Sequence, residues 1–257
     1  MTIASLDLPE LQRAARHAWR VCIADPWRLV GCVILVLFAT DLLTLVPGVG
    51  FLLKLALASL LFAQALQLFR LADGGGRGAA RPGLMTLVHA LSLPLSSQFV
   101  LVLGEWATFG IAMLFLWQVG GPDAATAFFG EPHAEATLDE TLYFEFKVVL
   151  FVASAPLTFL APAIVLARVQ GIAALWTALL AALRNPGFVL VLLALDVVLE
   201  FLLSALAQPG GLGAWIYLPL LVLSLVYELA LLYAVSVRVF GITADAGDAR
   251  SPGADKP

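Results

Sequence analysis

The stretch "GFVLVLLALDVVLEFLLSALAQ", residues 187–208, decides the fold. It is long and apolar, with only Asp196 and Glu200 charged. A bilayer core takes about 20 mostly apolar residues in helical form, and this stretch is of that length. Five further segments read the same way. The expected spans are 27–46, 51–71, 96–119, 148–168, 187–208 and 215–238. Composition agrees: 61% of the chain is hydrophobic, 12% is charged, and the mean hydropathy is +0.98. A soluble domain is about a quarter charged. The fold class is therefore all-α integral membrane, with residues 1–240 as a single polytopic domain.

Breaker residues divide the spans. "PGVG", 47–50, and "QPGGLGAW", 208–215, give tight reversals. "DGGGRGAARPG", 73–83, has no apolar periodicity and reads as a basic loop near lipid headgroups. The 121–147 stretch is polar and acidic, with Asp123, Glu131, Glu135, Asp139, Glu140 and Glu145. The tail, 241–257, is polar and Gly/Pro-rich, which predicts disorder.

Lys and Arg set orientation. Twelve of the fourteen basic residues fall on one side of a six-span arrangement, and only Lys54 and Lys147 fall on the other. Both termini are thus expected in the cytosol, with the 121–147 loop outside. No secretory signal peptide is evident, and Cys22 and Cys32 are expected as free thiols. The net charge is −4 with no dense basic run, which argues against a nucleic-acid partner.

Short helices precede three of the spans, at 7–24, 84–93 and 171–184, and each stops at a proline: Pro26, Pro94 or Pro186. The first is a basic amphipathic helix opened by an Asp7/Glu10 capping box. Leu11, Ala14, Ala15, Ala18 and Cys22 share one face. Gln12, Arg13, Arg16, His17 and Arg20 share the other, suited to anionic inner-leaflet lipids. Aligning the prolines suggests a repeated unit of interfacial helix, Pro and hairpin, in two or three copies. Chance recurrence in an Ala/Leu-rich chain would give the same look.

Two further motifs lie inside or beside this pattern: the hairpin turn "LVPGVGFLL" and the run "FLAPAIVLARVQGIAALWTALLAALRNP". With "AWRVCIADPWRL" and "FRLADGGGRG", they resemble a group of bacterial six-span inner-membrane proteins classed as a domain of unknown function. The resemblance covers about 30–90 and 155–200. It implies the fold and an inner-membrane location, and it implies no reaction. The Ala-Leu-Gly-Arg bias suits a bacterial source.

Charged side chains inside the spans carry the functional question. They are Asp41, Lys54, Glu105, Asp196, Glu200 and Glu228. A charge at the bilayer centre costs about 3 kcal/mol or more, so such groups face protein or water and are commonly functional. Asp196 lies near the midplane, Glu105 and Glu228 in the inner half, and Glu200 and Asp41 in the outer half. Counted from the three prolines, the acids fall within an arc of about 140°, so they can line one proton or cation path. Other readings stand beside this. Asp41 can pair with Lys54 to fix the first hairpin, and Glu228 can pair with Arg238. Glu105 can hydrogen-bond Ser97 or Thr108. Asp196 and Glu200 can bond between helices or form a docking face. Pro156 and Pro162 can kink the fourth span and free carbonyls.

Enzyme motifs are missing. "DGGGRGAARPG" lacks the spacing of lipid-headgroup transferases and the Gly-Lys-Ser/Thr of a P-loop. "EPHAE", 131–135, offers one His133 between acids, too few ligands for a metal. His17 and His89 read as amphipathic surface. Ser204, Ser224 and Ser236 have no His partner in a span. Tyr143, Phe144, Phe146 and Lys147 suit an interfacial aromatic anchor, and of Trp27, Trp106, Trp117 and Trp215, three mark span ends. No cofactor is expected. The leading expectation is a non-enzymatic structural or accessory membrane component, with a membrane-protein partner or self-association. The alternative is a small transporter or channel for protons, cations or a small solute.

Overall fold

The computed structural model describes residues 3–46, 49–74, 93–130, 139–206 and 213–242. Among the described residues every regular element is a helix. They are α1 (Leu8–Ala24), α2 (Pro26–Leu43), α3 (Gly50–Asp73), α4 (Leu95–Gly130), α5 (Glu140–Ser154), a 3₁₀ turn (Ala155–Leu157), α6 (Leu160–Val165), α7 (Ile172–Arg184), α8 (Pro186–Leu206) and α9 (Gly213–Val239). Six segments are long and apolar enough to cross a membrane: α2, α3, Leu95–Ala125 of α4, Thr141–Val165 through the 3₁₀ turn, Pro186–Leu203 of α8, and Trp215–Val239 of α9. The chain is an all-α multi-pass membrane protein.

Local chemistry explains the breaks. Pro26 and Pro186 each open a spanning helix where a missing N–H costs nothing, directly after α1 and α7 end. At the first hairpin, Gly50 lies against the carbonyl of Leu43, where a Cβ would collide with backbone. Pro94 immediately precedes α4. The expected short helix at 84–93 lies outside the described residues but for Leu93, as do His89, His133 and all of the tail beyond Ile242.

The third span does not give way to a polar loop at 121. Helix continues to Gly130 across a kink at Gly121, whose φ of 83° suits a residue without Cβ, and Pro122 follows it. Likewise α5 starts at Glu140, ahead of the expected 148. Residues 122–130 and 140–147 are thus helical where composition suggested loop. Phe146 is not an interfacial anchor. It is 1% exposed and packs edge-on against Phe109 at 6.3 Å between ring centroids. Lys147 lies over the Tyr143 ring at 5.1 Å.

The main core runs between α1, α3, α6, α7 and α9. Ala14 and Ala18 of α1, and Ala230 and Ala234 of α9, are fully buried. Small residues let helix axes approach closely and gain dispersion contacts, and α1 packs more extensively on α9 than on any other helix. Ala174, Ala178 and Ala181 do the same for α7, which packs on α6 and the 3₁₀ turn. Its bulky residues Ile172, Trp176, Leu180 and Leu183 stay exposed. Both short helices thus dock by an alanine face and present larger apolar side chains outward.

A polar clasp holds the N-terminus. The buried Asn185 side chain accepts from the Leu6 N–H at 2.8 Å and donates to Ala4 O at 3.0 Å and Ala181 O at 2.9 Å. Ala4 N–H donates to Val239 O at 2.9 Å. Arg184 donates to Ile3 O at 2.8 Å.

Candidate functional site: a carboxylate-bearing cavity in the bundle

A cavity of about 400 Å³ opens between α3, α4, the broken α5–α6 segment, α8 and α9. It extends along α3 from Leu55 to Leu66, about 16 Å of helix at 1.5 Å per residue. Its walls are chiefly Leu, Ala, Val and Phe, with Glu105 from α4 and Asp196 from α8. Packing between α4 and α8 is not extensive, so the cavity occupies the space between these two acid-bearing helices.

Three features place the acids there. Gly104 has no side chain, and a Cβ would press on Leu157 and Leu160 at 3.2 Å. That close approach brings α4 against the broken helix and sets the neighbouring Glu105 on the cavity wall. Asp196 is ten residues into α8, about 15 Å from its start. The break itself comes from proline. Pro156 falls in the 3₁₀ turn and Pro162 in α6, and neither has an N–H for the carbonyl four residues earlier. For Pro162 that carbonyl belongs to Thr158, a cavity residue.

The remaining polar lining points one way chemically. Ser59 donates its hydroxyl proton to Ala56 O at 2.9 Å, Thr108 to Glu105 O at 2.9 Å, Ser154 to Phe151 O at 2.9 Å, and Thr158 to Ala155 O at 2.8 Å. Each proton is held by the residue's own helix, so each oxygen turns lone pairs to its surroundings. Among the described residues no Lys, Arg or His lines the cavity. Among the described residues, neither Glu105 nor Asp196 has a hydrogen-bond or ion-pair partner on its side chain. The wall is rich in acceptors and carries two carboxyls with no cationic partner among the described residues.

The other intramembrane charges separate. Glu228 of α9 does not line the cavity. Its expected partner Arg238 does not bond it, and the Arg238 Nε is buried without a partner among the described residues. Glu200, one turn beyond Asp196, is outside the lining too. Asp41 is exposed and takes Lys54 Nζ at 2.6 Å. It belongs to the first hairpin rather than to the cavity, so a single file of five acids is not what the helices form. Nor do three His, Cys, Asp or Glu residues converge as a metal set among the described residues. Ser97 does not hold Glu105 either; its Oγ accepts from Gly171 N–H at 3.4 Å.

A second polar cluster was not legible in the sequence. His17 does not belong to the solvated face of α1. Its Nε2 stands 2.7 Å from Asp73 Oδ1, and Tyr233 donates to Asp73 Oδ2 at 3.0 Å. The cluster ties α1, α3 and α9 together. Asp73 closes α3 beside a Gly-rich run, where spacing gives no hint of a partner 56 residues away in sequence. In α1, burial pushes the Cys22 thiol above its usual range. Searches against protein-family models, curated proteins and solved structures find no match to this chain.

Proposed function

We propose that this chain is a multi-pass transport protein of the bacterial inner membrane, with both termini in the cytosol. It passes protons or a small cationic, hydrogen-bond-donating solute through the cavity, with no catalytic step. The observation that carries this reading is the lining: two carboxyls with no partner among the described residues, and four hydroxyl oxygens whose protons are already committed. Such a surface complements positive charge and donors, and repels anions. The proline-broken fourth span supports it as well, since interrupted helices with free backbone groups often line transport sites. The cytosolic assignment rests on the Arg distribution, and the place among the six-span bacterial group rests on the motifs quoted above.

A structural or accessory role is favoured by one observation. Pro186–Leu203 of α8 is the least packed span, at 11% buried against 28–44% for the others. Its exposed Leu190, Val191, Val198 and Phe201 would suit a second membrane protein as well as lipid.

Reconstitution into liposomes separates the two. Under an imposed proton or cation gradient, wild type carries a flux, and Glu105→Gln/Asp196→Asn falls to the protein-free level. A wild type that carries none, or a double variant that matches it, rules the transport reading out.

A further inference from the structure

A shallow groove of about 720 Å³ lies between α1 and α9, away from the cavity. Ala15, Arg16, Trp19, Arg20 and Tyr227 line it. Its position follows from the register of the two helices. Ala4 meets Val239, His17 meets Tyr233, and the groove brings Arg20 to Tyr227. The helices therefore run antiparallel, and α1 climbs along α9 from the arginine-rich end. Arg20 lies six residues before Pro26, where the first span opens, so α1 carries Arg16 and Arg20 to the arginine-rich end of that span.

We propose that this groove is a seat for one anionic phospholipid, whose phosphodiester takes Arg16 and Arg20. The two guanidiniums are one helical turn apart and share a face. Among the described residues neither is paired with an acid, although α1 contains Glu10 and is followed by Asp25. Asp25 is already held by Arg28 at 2.9 Å, and Glu10 by the capping box. Two free forks at the edge of an apolar trough match a charged headgroup above an acyl chain. Ala15 leaves the floor low. Trp19, 59% exposed, is the kind of amphipathic ring that favours headgroup level, and Tyr227 closes the groove from α9. One turn further along α9, Leu223 is also exposed and continues the trough toward the hydrocarbon. An ordinary surface patch of Arg would attract anionic lipid loosely. Here charge and apolar wall meet at one place, so binding has a defined stoichiometry. The seat is independent of the transport reading, because it shares no residue with the cavity.

The test is native mass spectrometry of the full chain released from nanodiscs of mixed phosphatidylglycerol and phosphatidylcholine. Wild type retains one phosphatidylglycerol in preference to phosphatidylcholine. In Arg16→Gln/Arg20→Gln the preference drops more than about tenfold, the loss of two charge-assisted contacts. Arg13→Gln, on α1 but outside the groove, keeps it. Equal retention of both lipids by wild type, or a preference that survives the double substitution, overturns the seat. If the double variant does not fold, wild type carrying the lipid is challenged with inorganic phosphate. Retention of the lipid supports the seat, and its displacement by free phosphate overturns it.

Discussion

Two polar regions of this protein treat hydrogen bonding in opposite ways. At the arginine-rich end, Asn185 is buried and matched in every direction, and Asp73 takes both His17 and Tyr233. In the cavity, Glu105 and Asp196 have no partner among the described residues. A polar group inside the bundle that is satisfied holds elements together; one left open against an apolar cavity wall costs stability. Proteins tolerate the second kind where activity requires it, which is why stabilising changes often fall at functional sites. Asn185 and Asp73 are fastenings, and Glu105 and Asp196 mark a site.

Substitutions at the two regions should therefore differ in sign. The largest effect is expected at the clasp. Asn185→Ala strands the Leu6 N–H and two carbonyls, and should cost about 3 kcal/mol in a denaturant titration of the reconstituted protein. A loss near zero would mean the clasp fastens nothing. Tyr233→Phe removes one bond to Asp73 and keeps the ring, so about 1 kcal/mol is expected in the same assay. Asp41→Asn touches an exposed pair, so its cost should stay below about 1 kcal/mol. A larger loss there would place the first hairpin among the fastenings. The smallest effect concerns Cys22. Burial raises its thiol above the ordinary range, so at neutral pH a maleimide should label it more slowly than an exposed cysteine. Labelling should accelerate as pH rises and thiolate forms. A rate equal to that of free cysteine would show that α1 leaves its site on α3 and α9.

The sequence makes the fastenings and the site unequally visible. Apolar length alone finds six spans, because each must cover the bilayer by itself. Pro26 and Pro186 mark helix starts, and Asp7 with Glu10 marks a capping box, because those effects act within one turn. The capping box is present, with Glu10 N–H to Asp7 Oδ1 at 2.9 Å. Residues whose partners lie far along the chain escape this kind of reading. His17 follows the polar periodicity of α1, yet its neighbours Ala14 and Ala18 dock so closely on α9 that it reaches Asp73. Asn185 looks like a helix punctuator beside Pro186, and its bonds to residues 4 and 6 come from topology. The acids fall between these cases. Their rarity in apolar helices singles out Glu105, Asp196, Glu200, Glu228 and Asp41. Only packing shows that Glu105 and Asp196 share one cavity while Asp41 sits with Lys54.

The most direct measurement takes one sample of Asp196→Asn through two assays, denaturant unfolding and gradient-driven flux in liposomes. The expected midpoint equals or exceeds that of wild type, since a carboxyl inside a membrane protein costs more to place than an amide, and flux is lost. A lowered midpoint with flux intact would make Asp196 another fastening, and the distinction between the two regions would fall.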